Sequence, residues 1–178
     1  MKWLFFLSQL PSQPSSLRVY VWRKLRTAGA LGLQNGVWLL PDTQEQRAFL
    51  ETLLASVKEQ GATGQIFTVM PFNELIEKDV LGRFRADRDE EYIEFIEQGH
   101  AFLAEIEKET AKEKFTFAEL EENEQELQRL SGWLDTIRNR DFFAATQQKT
   151  ALTLHAECDA AFQTFAEKVY DHQSGEVN

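Results

Sequence analysis

The chain opens on a short, continuously apolar run, Trp3-Leu-Phe-Phe-Leu7, a pattern that suits a central strand covered on both faces. Pro11 and Pro14, set among Ser and Gln, end it and mark a loop. Ser15 or Ser16 then offers a hydroxyl to cap a helix. Leu17, Val21, Leu25 and Ala28 follow at helical spacing as one apolar stripe, and Gly29 supplies a left-handed stop. Leu31 to Gln34 and Val37 to Leu40 bracket Asn35-Gly36, which predicts a hairpin closed by a type I′ turn. Pro41 closes that strand, and Asp42 or Thr43 caps a second helix with the stripe Phe49, Leu53, Leu54 and Val57, ending before Gly61. Gln65 to Met70 reads as a further strand, terminated by Pro71. The order β-α-β-β-α-β is the split βαβ, or ferredoxin-like, pattern.

After Phe72 the period becomes helical throughout. Asn73 caps a helix through Leu75, Ile76, Val80 and Leu81, with Gly82 as an expected weak point and the charge-dense Ala86 to Glu91 as an expected bend or exposed turn. Tyr92, Ile93, Phe95, Ile96, Phe102, Leu103 and Ile106 continue at helical spacing. Thr116 with Glu119 forms a capping-box pattern ahead of Leu120, Leu127, Leu130, Leu134 and Ile137. A last helix starts near Thr150 and carries Leu154, Cys158, Phe162, Phe165 and Val169, with His172 to Asn178 expected to fray. The expected fold class is α+β: a ferredoxin-like domain over residues 1–72, then an antiparallel helical bundle over 73–178, packed against it or continuous with it.

Composition refines this picture. With 178 residues and 43% hydrophobic content, the chain can bury an ordinary core. The single cysteine excludes an intramolecular disulfide framework and points to a reducing cytoplasm. The run at the N-terminus is too short for a signal peptide, and no segment has the length of a membrane span, so no membrane partner is expected. The net charge of −10 is uneven: residues 1–88 carry 11 Lys/Arg against 8 Asp/Glu, while residues 89–178 carry 8 against 21. An anionic partner therefore meets the first half and is repelled by the second.

Positive charge concentrates on the first helix at Arg18, Arg23, Lys24 and Arg26. On a helical wheel Arg23 and Arg26 point away from the apolar stripe, and Arg18 and Lys24 flank it. Guanidinium groups grip phosphate oxygens bidentately, so these four are the candidate nucleic-acid contacts. Trp22, one turn from both Arg18 and Arg26, can hold either by a cation–π contact. The competing reading pairs the same arginines with the acidic bundle.

Catalytic and metal chemistry find little support. Glu97-x-x-His100 places two ligands on one helix face, yet a di-iron carboxylate site needs a second such pair and two more glutamates. Neither His155 nor His172 has a Glu three residues before it. Cys158 falls on an apolar stripe, the glutamates of 119–126 read as a solvated face, and no phosphate-cradling glycine loop is present. No cofactor, metal or catalytic set is expected.

The stretch W-L-F-F-L…P-S-S-x-R-V-x-V-W-R-x-L-x-x-x-G-A…Q-N-G-V-W-L-L-P resembles the N-terminal region of bacterial chromate-resistance regulators of the ChrB type. E-I-E-K-E-T-A…K-F-T-F-A-E-L-E-E-N-E (Glu105 to Glu124) and R-D-F-F (Arg140 to Phe143) extend the resemblance over nearly the whole chain. Residues 1–72 are more loosely similar to the ferredoxin-like domain of phenylacetate-type repressors and of small CRISPR-associated nucleases. In such nucleases an acidic residue ends the first strand, where this chain has Leu7-Ser8-Gln9, which argues against a nuclease. The resemblance implies a transcriptional regulator of a chromate-efflux operon, binding DNA through its N-terminal part, with a homodimer matching a palindromic site. Regulators of that family continue into a second domain held to sense chromate. The stop at Asn178 therefore leads to the expectation of a separate sensory protein or of a homologue with another task. A protein-interaction module and an oxyanion sensor without DNA binding are the alternatives.

Overall fold

The computed structural model describes residues 1–13 and 15–175. Pro14 of the expected loop and residues 176–178 of the expected frayed tail lie outside them. The chain forms two compact units, Met1–Phe84 and Arg85–Asn178.

The first unit holds β1 (Trp3–Gln9), α1 (Ser16–Thr27), β2 (Leu31–Gln34), β3 (Val37–Pro41), α2 (Gln44–Glu59), β4 (Thr63–Val69) and the start of α3 (Glu74–Ala111). The four strands make one antiparallel sheet in the order β2-β3-β1-β4, the ferredoxin-like arrangement the element order predicts. β1 is central and runs two residues past its apolar run, because Ser8 and Gln9 still pair with Gly64 and Thr63. Alternation puts Leu4 and Phe6 on one face with Leu40, Trp38 and Ile66. α2 covers this face, and a Cβ at Gly64 would stand 2.9 Å from Leu54 and 3.7 Å from the Phe6 ring. On the other face Trp3 is buried, stacked on Phe84 of α3 with ring centroids 5.4 Å apart. That contact carries the first unit past Phe72 and into α3.

Two local expectations are corrected, and one pair of alternatives is decided. Ser15 sits at the N-cap of α1 with helical dihedrals and makes no side-chain capping bond. At the hairpin only Gly36 has positive φ (+76°); Asn35 does not, so the turn is not type I′, and the register of β2 on β3 shifts between Gly32 and Gln34. Gly36 also passes so close to β1 that its carbonyl accepts from Ser8 N–H at 2.8 Å. At α2 it is Thr43 that caps, accepting from Gln46 N–H at 3.2 Å, while Asp42 binds the Arg47 guanidinium.

α3 is one uninterrupted helix of 38 residues, with neither a break at Gly82 nor a bend at Ala86–Glu91. Its inward stripe explains why: Val80, Phe84, Arg88, Tyr92, Phe95, Gly99, Phe102 and Ile106 are all buried at helical spacing. The charged segment thus contributes Arg88, 4% exposed, to the stripe itself, with Glu91 at 3.0 Å.

The second unit packs the rest of α3 with α4 (Phe117–Asn139) and α5 (Gln148–Gly175) around Tyr92, Phe95, Leu130, Ile137, Phe165 and Val169. α5 stays helical through Gly175, so 172–175 are not frayed. Thr116 caps α4 by accepting from Glu119 N–H, but Glu119 spends its carboxylate on Lys114 rather than returning to the cap. Beside it Glu109 is buried and accepts from the Asn123 amide at 2.6 Å. Burial lifts its carboxyl above the usual range, the Asn123 bond opposes this, and Glu119 adds to it. α3 and α5 meet at Gly99, whose carbonyl accepts from the Cys158 thiol at 3.5 Å. Among the described residues no helix is long and apolar enough to cross a membrane.

Candidate nucleic-acid interface

α1 forms because Leu17, Val21 and Leu25 bury one stripe against the sheet, and Gly29 at φ +75° ends it. The rest of the helix apart from Arg26 is thereby presented outward. Arg18, Arg23 and Lys24 are exposed, as are Val19, Tyr20 and Trp22, the last at 53%. Arg26 differs from the helical-wheel expectation: it is half-buried. The last turn carries Lys24 and Arg26 and the first turn no acid, so the helix end favours these cations while its positive start is left open to an anion.

The structure sorts the basic residues into two neighbourhoods. Arg23 and Lys24 line a shallow depression of about 520 Å³ with Ser16, Val19, Tyr20 and Thr27. The Lys24 ammonium lies 5.7 Å from the Tyr20 ring centroid, a one-turn cation–π contact. Arg18 belongs to a second, open depression of about 710 Å³, which it shares with Trp22, Trp38 and the polar residues Ser8, Gln9, Gln34 and Asn35. Its guanidinium is steadied by donation to the Ser12 carbonyl at 2.8 Å. Arg26 lines neither. Reasoning from sequence placed Trp22 beside the arginines but missed Tyr20, although its spacing from Lys24 is the ordinary one-turn pairing. Trp38 was legible only as a strand residue: reaching Arg18's neighbourhood depends on strand register.

Chemically the surface offers three exposed cations, two exposed aromatic rings and amide groups. Arginine and lysine here fit phosphate contacts, which position a partner, and the rings and amides fit base or sugar contacts. Elsewhere, Glu97 and His100 are both exposed on α3. Among the described residues no three His, Cys, Asp or Glu side chains gather as metal ligands would. Burial pushes the Cys158 thiol up to about 11, so it stays protonated and packs as an apolar group. Ser131 Oγ lies 2.7 Å from His155 Nε2, yet that hydroxyl donates to the Leu127 carbonyl.

Comparison with known proteins agrees with the motifs. The family model described as "Protein ChrB, N-terminal" matches residues 18–176. The chain is 27% identical over 141 residues to Protein ChrB of Cupriavidus metallidurans, a match covering 79% of this chain and 40% of that protein. The chain therefore spans less than half the length of this curated relative. With most of α1, the hairpin and the bundle inside the matched segment, the chain belongs to the ChrB N-terminal family.

Proposed function

We propose that this chain is a non-catalytic, cytoplasmic transcriptional regulator, or the DNA-binding subunit of one, in a chromate or related oxyanion resistance system. Arg18, Arg23 and Lys24 contact DNA phosphates, with Arg26 at the margin of the surface, and the protein acts as a homodimer. One observation carries the reading: three cations stand exposed on a single helix of a chain whose net charge is −10. Membership of the ChrB N-terminal family supports the regulatory role.

The test is fluorescence anisotropy of a labelled duplex from the upstream region of its own operon, titrated with protein at several salt concentrations. Binding should weaken steeply with salt, and each of Arg18→Ala, Arg23→Ala and Lys24→Ala should lower the slope of log K against log salt by about one. Absence of binding at low salt, or an unaltered slope in the triple variant, would sink the proposal. Calorimetric titration with chromate separates an oxyanion sensor from a DNA reader.

A further inference from the structure

The two edges of the sheet are finished differently. At one, β2 has four residues, a register shift, and a carbonyl (Gly32) engaged by the Arg83 guanidinium at 2.9 Å. Short length, irregular register and a nearby cation are the usual ways of keeping an edge from pairing with another chain. At the other, β4 has seven residues in unbroken register with β1, from Trp3↔Val69 to Gln9↔Thr63, and contains no proline or charge. Its outer side has no strand partner among the described residues. Phe67, on this strand, is 47% exposed, and the chain that follows exposes Met70, Phe72, Leu75 and Ile76, Phe72 at 92%.

We propose that β4 pairs antiparallel with β4 of a second copy, joining two sheets into one of eight strands about a two-fold axis near Ile66. This deepens the dimer part of the reading above and is independent of DNA. Three observations select a second copy as the occupant. A strand edge alternates donors and acceptors, so it is complementary to itself when turned about a two-fold axis. Residues 60–73 contain no Asp, Glu, Lys or Arg, so two chains of net charge −10 bring no like charges to the paired strands themselves. Five large apolar side chains between Phe67 and Ile76 are exposed, three of them by more than 70%, where an ordinary monomer leaves such residues scattered singly.

The test uses the 178-residue protein without DNA. Light scattering across a dilution series gives the dimer dissociation constant, and hydrogen exchange reads the β4 amides. The exposed positions Phe67→Lys and Phe72→Lys are substituted singly and together, with circular dichroism confirming the fold. A wild-type dimer whose β4 amides are protected, and a folded double variant whose dissociation constant rises about 100-fold or more with loss of that protection, supports the pairing. A monomeric wild type overturns both this interface and the dimer. A dimer that survives the double variant, or whose β4 amides exchange freely, overturns the interface alone. DNA binding by the arginine variants is read separately.

Discussion

Gly36 and Gly61 make a controlled pair. Their φ angles are +76° and +75°, so an alanine at either incurs the same left-handed backbone cost, about 1 kcal/mol. Their surroundings differ. A Cβ on Gly61 meets nothing within 4 Å, whereas one on Gly36 would stand 2.4 Å from the Ser8 carbonyl oxygen, a backbone atom that no rotamer change can move. The turn must withdraw from β1, which surrenders the Ser8 N–H to Gly36 carbonyl bond of 2.8 Å, worth about 1 kcal/mol, and loosens packing around it. Gly36→Ala should therefore cost about 2–4 kcal/mol and Gly61→Ala about 1 kcal/mol. Gly36→Asn, which tolerates the left-handed region but keeps a Cβ, should recover only the smaller part. Urea unfolding followed by tryptophan fluorescence measures these differences, since Trp3, Trp22 and Trp38 all lie in the first unit. If the two alanine variants lose stability equally, or if Asn rescues Gly36 fully, the close approach to Ser8 is not what requires glycine there.

Two further predictions concern the bundle. At Gly99 an added Cβ would lie 2.7 Å from Leu154 Cδ2 and 3.1 Å from its Cγ, in a site where Leu154 and Cys158 are buried. The helix-propensity gain of about 1 kcal/mol opposes overpacking of about 1–3 kcal/mol, so Gly99→Ala should be neutral to destabilising, while Gly99→Val should be strongly destabilising in thermal melts. Glu109 has a carboxyl lifted by burial, so the folded state holds its proton more tightly than the unfolded chain does. Its contribution is then fully present below the ordinary glutamate range and is lost as pH rises through the lifted value. Glu119 is shifted the opposite way by Lys114 and supplies the opposing trend. Glu109→Gln should stabilise the protein at pH 7–8 and remove the Glu109 part of that loss, as urea midpoints from pH 4 to 8 will show.

Period-based reasoning recovered the element order because α1, β3 and α4 bury the residues their spacing selects. It failed where tertiary contact overrode local pattern. β1 outruns its apolar residues because β4 supplies partners for Ser8 and Gln9. Asn35-Gly36 predicted a type I′ turn, and the turn that forms, beside a register shift in β2, is not of that type. Gly82 is tolerated in α3 because buried neighbours on either side, Val80 and Phe84, hold the helix in place. At the candidate site the exposed arginines were legible on the helical wheel. The half-burial of Arg26 was not, and neither was the convergence of Trp38 with Trp22 and Arg18, which depends on a strand remote in sequence.

The arginine in the middle of the α3 stripe carries a consequence for how the bundle finds its alignment. A row of Phe, Tyr and Ile can slide by one helical turn and still be apolar, so it determines that two helices meet more firmly than where. Arg88 removes that freedom: Glu91 binds it and also receives the guanidinium of Arg140, just beyond α4. Displaced by a turn, α3 would carry the Arg88–Glu91 pair with it and leave Arg140 without its carboxylate, a cost that no apolar contact replaces. The carboxylate that neutralises the buried cation of an oily seam thus also acts as a keyed stop, favouring one seating of α3 against the end of α4.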